Sequence, residues 1–211
     1  MKQFNRRHAL IAGLGASVVA VGALGVWAGI SRPAPRPGNG YAHLGRGIDD
    51  VTLIDESGAG HAWRDLNGRP RALFFGFTHC AVVCPVTVWE LNDALDKIGA
   101  PANTVTIQFV TIDPQRDSAA TLHAYFSGFG GRVKAYTGTA QAIARVAGAF
   151  EVVYRRSGEG ADYSMDHTAT VFLLDGAGRV ADVIGFGSPH DVTQARLRAL
   201  VGAPPQAPPQ T

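Results

Sequence analysis

The stretch Arg71-Ala-Leu-Phe-Phe-Gly-Phe-Thr-His-Cys80-Ala-Val-Val-Cys84-Pro85 decides how the chain folds. Its opening, Arg71–Phe77, is a continuous apolar run of the kind found in a strand buried on both faces. From Pro85 to Ile98 the apolar residues Val88, Leu91 and Leu95 recur at three- and four-residue spacing, which predicts an amphipathic helix. Proline favours the first helical position, so Cys84 is expected at or near the N-cap. A thiol there faces the positive end of the helix dipole and should have a depressed pKa. The spacing of four predicts both sulfurs on one side of a helical turn, close enough to share a metal or form a disulfide. Two buried structural cysteines are the alternative, since free Cys is among the most buried residue types.

Working outward, Val51–Ile54 reads as a short strand, Asp55–Gly58 as a turn, and His61–Trp63 as the partner of a hairpin. Thr104–Ile112 alternates and is β-branched, hence a strand. Ser118–Phe126 and Thr139–Phe150 read as helices with Ser118 and Thr139 as N-caps. Val152–Tyr154, Thr168–Leu174 and Val180–Ile184 read as strands, the last two joined by the turn Asp175-Gly-Ala-Gly178. Asp191–Val201 closes as a helix. This alternation predicts an α/β sandwich around a mixed sheet.

The chain has 211 residues, and only 17 % are charged against roughly 25 % in a typical globular protein. Five of its 19 Lys and Arg lie in residues 1–40, which hold no acid; the remainder has 14 basic and 17 acidic side chains, a net charge of −3. A slightly acidic body is not that of a nucleic-acid binder. Two cysteines cannot supply a disulfide-dense scaffold, a four-Cys zinc site or an iron–sulfur cluster.

Ala9–Ile30 carries no charge over 22 residues, long enough to span a bilayer as a helix. Lys2, Arg6 and Arg7 precede it and would hold that end in the cytoplasm. Its length exceeds a signal h-region and no clean cleavage site follows, so an uncleaved anchor is expected, with a cleaved signal as the alternative. Too few residues precede the run for a mitochondrial transit peptide. The expected setting is therefore the bacterial inner (cytoplasmic) membrane, with the folded part in the periplasm. The predicted organisation is a membrane segment over 1–30, a Pro-rich linker over 31–40, one folded domain over 41–201, and a structureless Pro-rich tail over 202–211.

A soft metal such as Cu(I) favours thiolates, with imidazole a common third ligand. Among the seven histidines, His8, His43 and His61 precede the buried strand. His79 is expected to turn away from its neighbour Cys80, and His123 and His190 to lie near helices without partners. His167, in Tyr163-Ser-Met-Asp-His-Thr168, lies just before an apolar strand, in a loop that could fold over the cysteine-bearing helix terminus. Spacing alone leaves that pairing open.

Three ordered motifs, Phe74-Phe-Gly-Phe-Thr-His-Cys-x-x-x-Cys-Pro85, Thr111-Ile-Asp-Pro-Gln-Arg-Asp117 and Asp166-His-Thr168, closely resemble the Sco/SenC family from about Val51 to Val201. The resemblance implies a thioredoxin-like fold with an added N-terminal β-hairpin. It also implies a copper metallochaperone working outside the membrane on the binuclear copper centre of cytochrome c oxidase subunit II. Carried over, the metal ligands are Cys80, Cys84 and His167, with Asp113 and Arg116 as support near the site. Copper as Cu(I) and/or Cu(II) is the implied cargo, with oxidase subunit II and a periplasmic copper donor as partners. Two thiolates and an imidazole suit Cu(I), whereas zinc would want a fourth ligand. A second reading is a membrane-anchored thiol–disulfide reductase using Cys80 and Cys84 and a thioredoxin-like reductant. The chain departs from many relatives in having Ala81 and Val82 where they carry Pro and an acid. Unlike ordinary thioredoxins it spaces the cysteines CxxxC and has no proline before Thr168.

Overall fold

Among the described residues, 39–202, the computed structural model has nine strands and four α-helices around two sheets. In chain order these are β1 (Thr52–Asp55), β2 (Gly60–Ala62), β3 (Arg71–Gly76), α1 (Val83–Ile98), β4 (Thr106–Thr111), α2 (Ala119–Phe126) and β5 (Val133–Thr137). They continue with α3 (Ala140–Ala149), β6 (Tyr154–Ser157), β7 (Ser164–His167), β8 (Thr170–Leu174), β9 (Val180–Gly185) and α4 (His190–Leu200). The apolar run Ala9–Ile30, most of the Pro-rich linker and the tail from residue 203 lie outside the described residues. Among the described residues no helix is long and apolar enough to cross a membrane.

Seven strands form one mixed sheet in the order β2-β1-β5-β4-β3-β8-β9. The central pairs β3/β4 and β4/β5 are parallel, while β3/β8 and β8/β9 are antiparallel. The expected N-terminal hairpin is present: β1 pairs with β2 and docks on the edge of β5. All six residues of β3 are buried, which agrees with its apolar run and its central place between β4 and β8.

Alternation along β3 sends Phe74 to one face and Phe75 to the other. On the Phe74 side, Phe109 of β4 packs 4.8 Å from Phe126 of α2. On the Phe75 side, Phe150 at the end of α3 lies 5.7 Å from Phe75 and 5.1 Å from Phe172. Helix α1 buries Cys84, Val88, Leu91 and Leu95 along one stripe, and α4 packs against it. The two expected N-caps form: Ser118 Oγ accepts from the Thr121 N–H and Thr139 Oγ1 from the Ala142 N–H, both at 3.1 Å.

Three local expectations are corrected and one strand is added. Helix α1 starts at Val83, with Val82 as an N-cap that offers no side-chain acceptor. Cys84 therefore lies inside the first turn, and Cys80 precedes the helix in the loop. Strand β5 was not foreseen; its Val133, Ala135 and Thr137 point inward and Lys134 outward. The strand expected at Val152–Tyr154 lies further on, as β6, and pairs antiparallel with β7 in a separate ribbon. His167 is thus the last residue of a strand, not part of a loop. Glycines 158 and 160, both at positive φ, let the chain reverse between β6 and β7. Arg155 and Asp166 sit opposite each other in the register and pair at 3.0 Å.

Candidate metal centre

The chain leaves β3 through Phe77 and turns at once: the Cys80 N–H donates to the Phe77 carbonyl at 3.2 Å. That turn aims the Cys80 sulfur at the start of α1, where the Cys84 N–H donates to Cys80 Sγ at 3.4 Å. Cys80 so satisfies one of the first-turn donors that Val82 leaves without a side-chain partner. The two sulfurs meet through this loop, not by sharing a helical face. Both are free thiols. Cys80 is partly exposed, whereas Cys84 is 1 % exposed.

Cys84 is seated by a missing side chain. A Cβ at Gly76 would lie 2.8 Å from Cys84 Sγ and 2.7 Å from Phe109 Cε2, so only glycine admits the sulfur over β3. Burial pushes the Cys84 thiol well above its ordinary range, outweighing a backbone hydrogen bond from Phe77. The depressed thiol expected from the helix dipole is therefore not found, because desolvation of the thiolate exceeds the benefit of the helix terminus.

His167 meets the same part of β3. Its ring packs edge-on to Phe74 at 6.1 Å and to Phe77 at 6.0 Å. Its Nδ1–H donates to the Thr168 carbonyl at 3.0 Å. A carbonyl can only accept, so the neutral ring carries its proton on Nδ1 and keeps the Nε2 lone pair. Burial lowers the His167 pKa from its usual value, against the raising effect of the Thr168 bond and Asp166. Burial thus favours the neutral form of the ring, the form that can ligate a metal. Among the described residues, no three His, Cys, Asp or Glu side chains are gathered closely enough to hold a metal ion.

Two buried carboxylates brace this end of the sheet. Asp117, fully buried, accepts from the Thr78 N–H at 3.1 Å and from the Thr78 and Thr111 hydroxyls at 2.6 Å each. It ties the exit of β3, just before the cysteine loop, to the exit of β4. Asp113 takes the Arg116 Nε–H at 2.5 Å and the Tyr163 hydroxyl at 2.6 Å. Arg116 also donates to the Tyr163 carbonyl at 2.8 Å, and its guanidinium lies 3.5 Å from the centre of the Tyr163 ring. Arg156 covers the same ring at 3.9 Å. Asp113 and Arg116 thus fasten the start of β7, the strand that ends in His167, to the loop after β4.

Tyr163 was not foreseen. Its signal is an aromatic residue shortly before His167, but nothing local announces a partner fifty positions earlier. Four other described histidines are held elsewhere. His43 lies 3.3 Å from Glu151, His61 2.7 Å from Asp55, and His79 3.2 Å from the Thr78 hydroxyl. His190, expected to be unpartnered, sits 3.5 Å from Asp93.

The family model described as SCO1/SenC matches residues 45–202. The chain belongs to the SCO1/SenC family. A mitochondrial SCO2 homologue from Bos taurus is 33 % identical over 145 residues, covering 67 % of this chain and 54 % of the relative. This SCO1/SenC chain thus matches only about half the length of such curated relatives. Its fold is similar to that of Bradyrhizobium japonicum ScoI with copper bound, with TM-score 0.64 and 32 % identity, over 71 % of this chain and 96 % of that one. It is also similar to Arabidopsis thaliana ScoI with copper bound, with TM-score 0.66 and 29 % identity, over 70 % and 94 % of the two chains. This SCO1/SenC protein shares with them a thioredoxin-like fold built on a central mixed sheet.

Proposed function

We propose that this protein is a copper carrier that holds one copper ion through Cys80, Cys84 and His167 and passes it to cytochrome c oxidase subunit II. The observation that carries this reading is the orientation of His167: its Nδ1–H is engaged by the Thr168 carbonyl, which leaves Nε2 as the donor atom beside the strand that seats Cys84. Metal-ligating histidines commonly have their second nitrogen fixed in this way. Two thiolates and an imidazole form a three-coordinate site suited to Cu(I), with an open flank for an incoming ligand from the acceptor. The copper-bound relatives support copper as the cargo. Burial and the raised thiol make Cys84 a poor attacking sulfur for exchange.

Because both ligand sulfurs must be reduced, the carrier is loaded only in its dithiol form. The test is copper retention by the purified chain after gel filtration. One equivalent on the reduced protein and none held tightly on the oxidised protein is expected; equal retention by both would remove the cysteines from the site.

The same reading places the domain in the periplasm, tethered by Ala9–Ile30 with Lys2, Arg6 and Arg7 on the cytoplasmic side. A periplasm-specific reporter fused after Thr211 should be active, and the protein should remain in membranes after a carbonate wash. An inactive reporter would reverse the orientation.

A further inference from the structure

At the opposite end of the parallel strands from the cysteines, a cleft of about 400 Å³ opens on the sheet face that carries α3. It lies where β3, β4 and β5 begin, one strand length, roughly 20 Å, from the strand ends that carry the metal centre. Arg71 and Gln108 line its floor, and Lys134 and Tyr136 its rim.

Both floor residues are in an unusual state. Arg71 is 3 % exposed, and its guanidinium donates to the Leu66 carbonyl and, at 3.0 Å, to Asn67 Oδ1. Its face lies 5.4 Å from the Trp63 ring. Its Nε–H has no partner, and among the described residues no carboxylate pairs with it. Burial alone lowers its pKa to about 10, against raising effects from Tyr136 and Asp175. Gln108 is 2 % exposed, and neither its amide nitrogen nor its amide oxygen has a partner. Buried charges are normally paired and buried amides normally bonded, so three idle polar atoms on one cleft floor are a signal.

The nearby acids have partners of their own. Asp175, which acts on Arg71 only at a distance, pairs with Arg179 at 2.8 Å, Asp55 with His61 at 2.7 Å, Glu56 with Lys134 at 3.5 Å and Asp65 with Arg64 at 3.7 Å. Arg71 is the one positive charge on the buried floor and has no carboxylate partner among the described residues, so the floor takes one negative charge, while Arg69 lines the same cleft. The idle set is also mixed: two N–H donors, on Arg71 Nε and Gln108 Nε2, and one acceptor, Gln108 Oε1. A carboxylate flanked by its own N–H or O–H satisfies all three at once.

We propose that this cleft binds a small carboxylic acid that carries a hydrogen-bond donor beside the carboxylate, such as an N-acylated amino acid or a hydroxy acid. The idle atoms are sealed from bulk water, so the ligand enters by a side-chain shift at the rim. Lys134, whose side chain is 52 % exposed and holds Glu56 only at 3.5 Å, can make that shift. The site is independent of copper binding and stands or falls separately from the carrier reading.

The test follows the Arg71 Nε–H and Gln108 side-chain amide signals of the 15N-labelled chain by NMR during titration with N-acetylglycine. Both signals should move together and saturate in about the millimolar range, the scale for a ligand of so few atoms. Propionate, which has the carboxylate but no donor, should bind more weakly. Gln108→Met should weaken N-acetylglycine about tenfold or more, since hydrogen bonds to a charged group are lost. Gln108→Glu, which sets a negative charge against the ligand, should abolish binding and serves if the Met variant does not fold. Unmoved signals with every probe would mean that water alone fills the cleft and would overturn the proposal. Tighter binding of inorganic phosphate than of N-acetylglycine would overturn the carboxylate assignment, as would unchanged binding in the Gln108 variants.

Discussion

The backbone N–H of Cys84 donates to the sulfur of Cys80 at 3.4 Å. One cysteine therefore caps the first turn of the helix that carries the other, so the cap and the proposed metal ligand are the same atom. Serine at position 80 keeps an acceptor for that N–H, while alanine removes it. Cys80→Ser should melt within about 1 kcal/mol of wild type, and Cys80→Ala should be less stable by up to about 1 kcal/mol more. Neither should hold copper. Thermal melts and copper retention separate the two roles; copper retained by Cys80→Ser would free the sulfur from the site.

Gly76 makes room for Cys84. A methyl at position 76 meets Cys84 Sγ and Phe109 at under 3 Å, and both neighbours belong to the packed core. Gly76→Ala should destabilise the domain by about 1–3 kcal/mol through overpacking. Because the displaced group is the Cys84 sulfur, copper affinity should also fall. Denaturant melts and a Cu(I) competition titration check the two effects, and unchanged copper affinity would show that Cys84 is not a ligand.

Tyr163 acts on the site through the ribbon. Its hydroxyl donates to buried Asp113 while Arg116 and Arg156 both lie against its ring. Tyr163→Phe leaves Asp113 Oδ1 one donor short, at about 1–3 kcal/mol of stability. The ribbon that holds His167 should then be less well oriented, and copper affinity should drop about 10–100-fold, the usual cost of losing an outer support. Unchanged affinity at reduced stability would confine Tyr163 to folding.

Copper binding should depend on pH with a fixed sign. Burial raises the Cys84 thiol, so the copper-free protein holds that proton where an ordinary thiol, near about 8.5, begins to lose it. The bound form cannot hold it. Apparent affinity should therefore rise with pH, by about tenfold per pH unit for each proton released. His167 works the other way: burial lowers its pKa, so it stays neutral and available below the usual histidine value. Cu(I) competition titrations across neutral pH check this, and a flat profile would contradict it.

Much of this was legible in the sequence because it depends on near neighbours. The apolar run Arg71–Phe77, the 3–4 spacing in α1, the caps Ser118 and Thr139, and the hairpin of β1 and β2 are all local patterns. What was missed depends on distant partners. Strand β5 alternates Val133, Ala135 and Thr137 with Lys134 and Tyr136, but it is short, and its inward small residues gain meaning only beside Phe109 of β4. The place of His167 at the end of a strand follows from pairing Tyr154–Ser157 with Ser164–His167. The Cys84 thiol was misjudged because the helix terminus is visible in the sequence and the burial under Gly76 and Phe109 is not. The tie from Tyr163 to Asp113 spans fifty residues and has no local signature.

The central claim is that His167 is a copper ligand and not a bystander of two reactive cysteines. Its most direct test is a competition titration of Cu(I) into reduced wild type and His167→Ala. The account predicts that the variant loses at least about 10–100-fold in affinity, while Cys80 and Cys84 still oxidise and reduce reversibly. Unchanged Cu(I) affinity in His167→Ala would contradict it and return the site to thiol–disulfide chemistry.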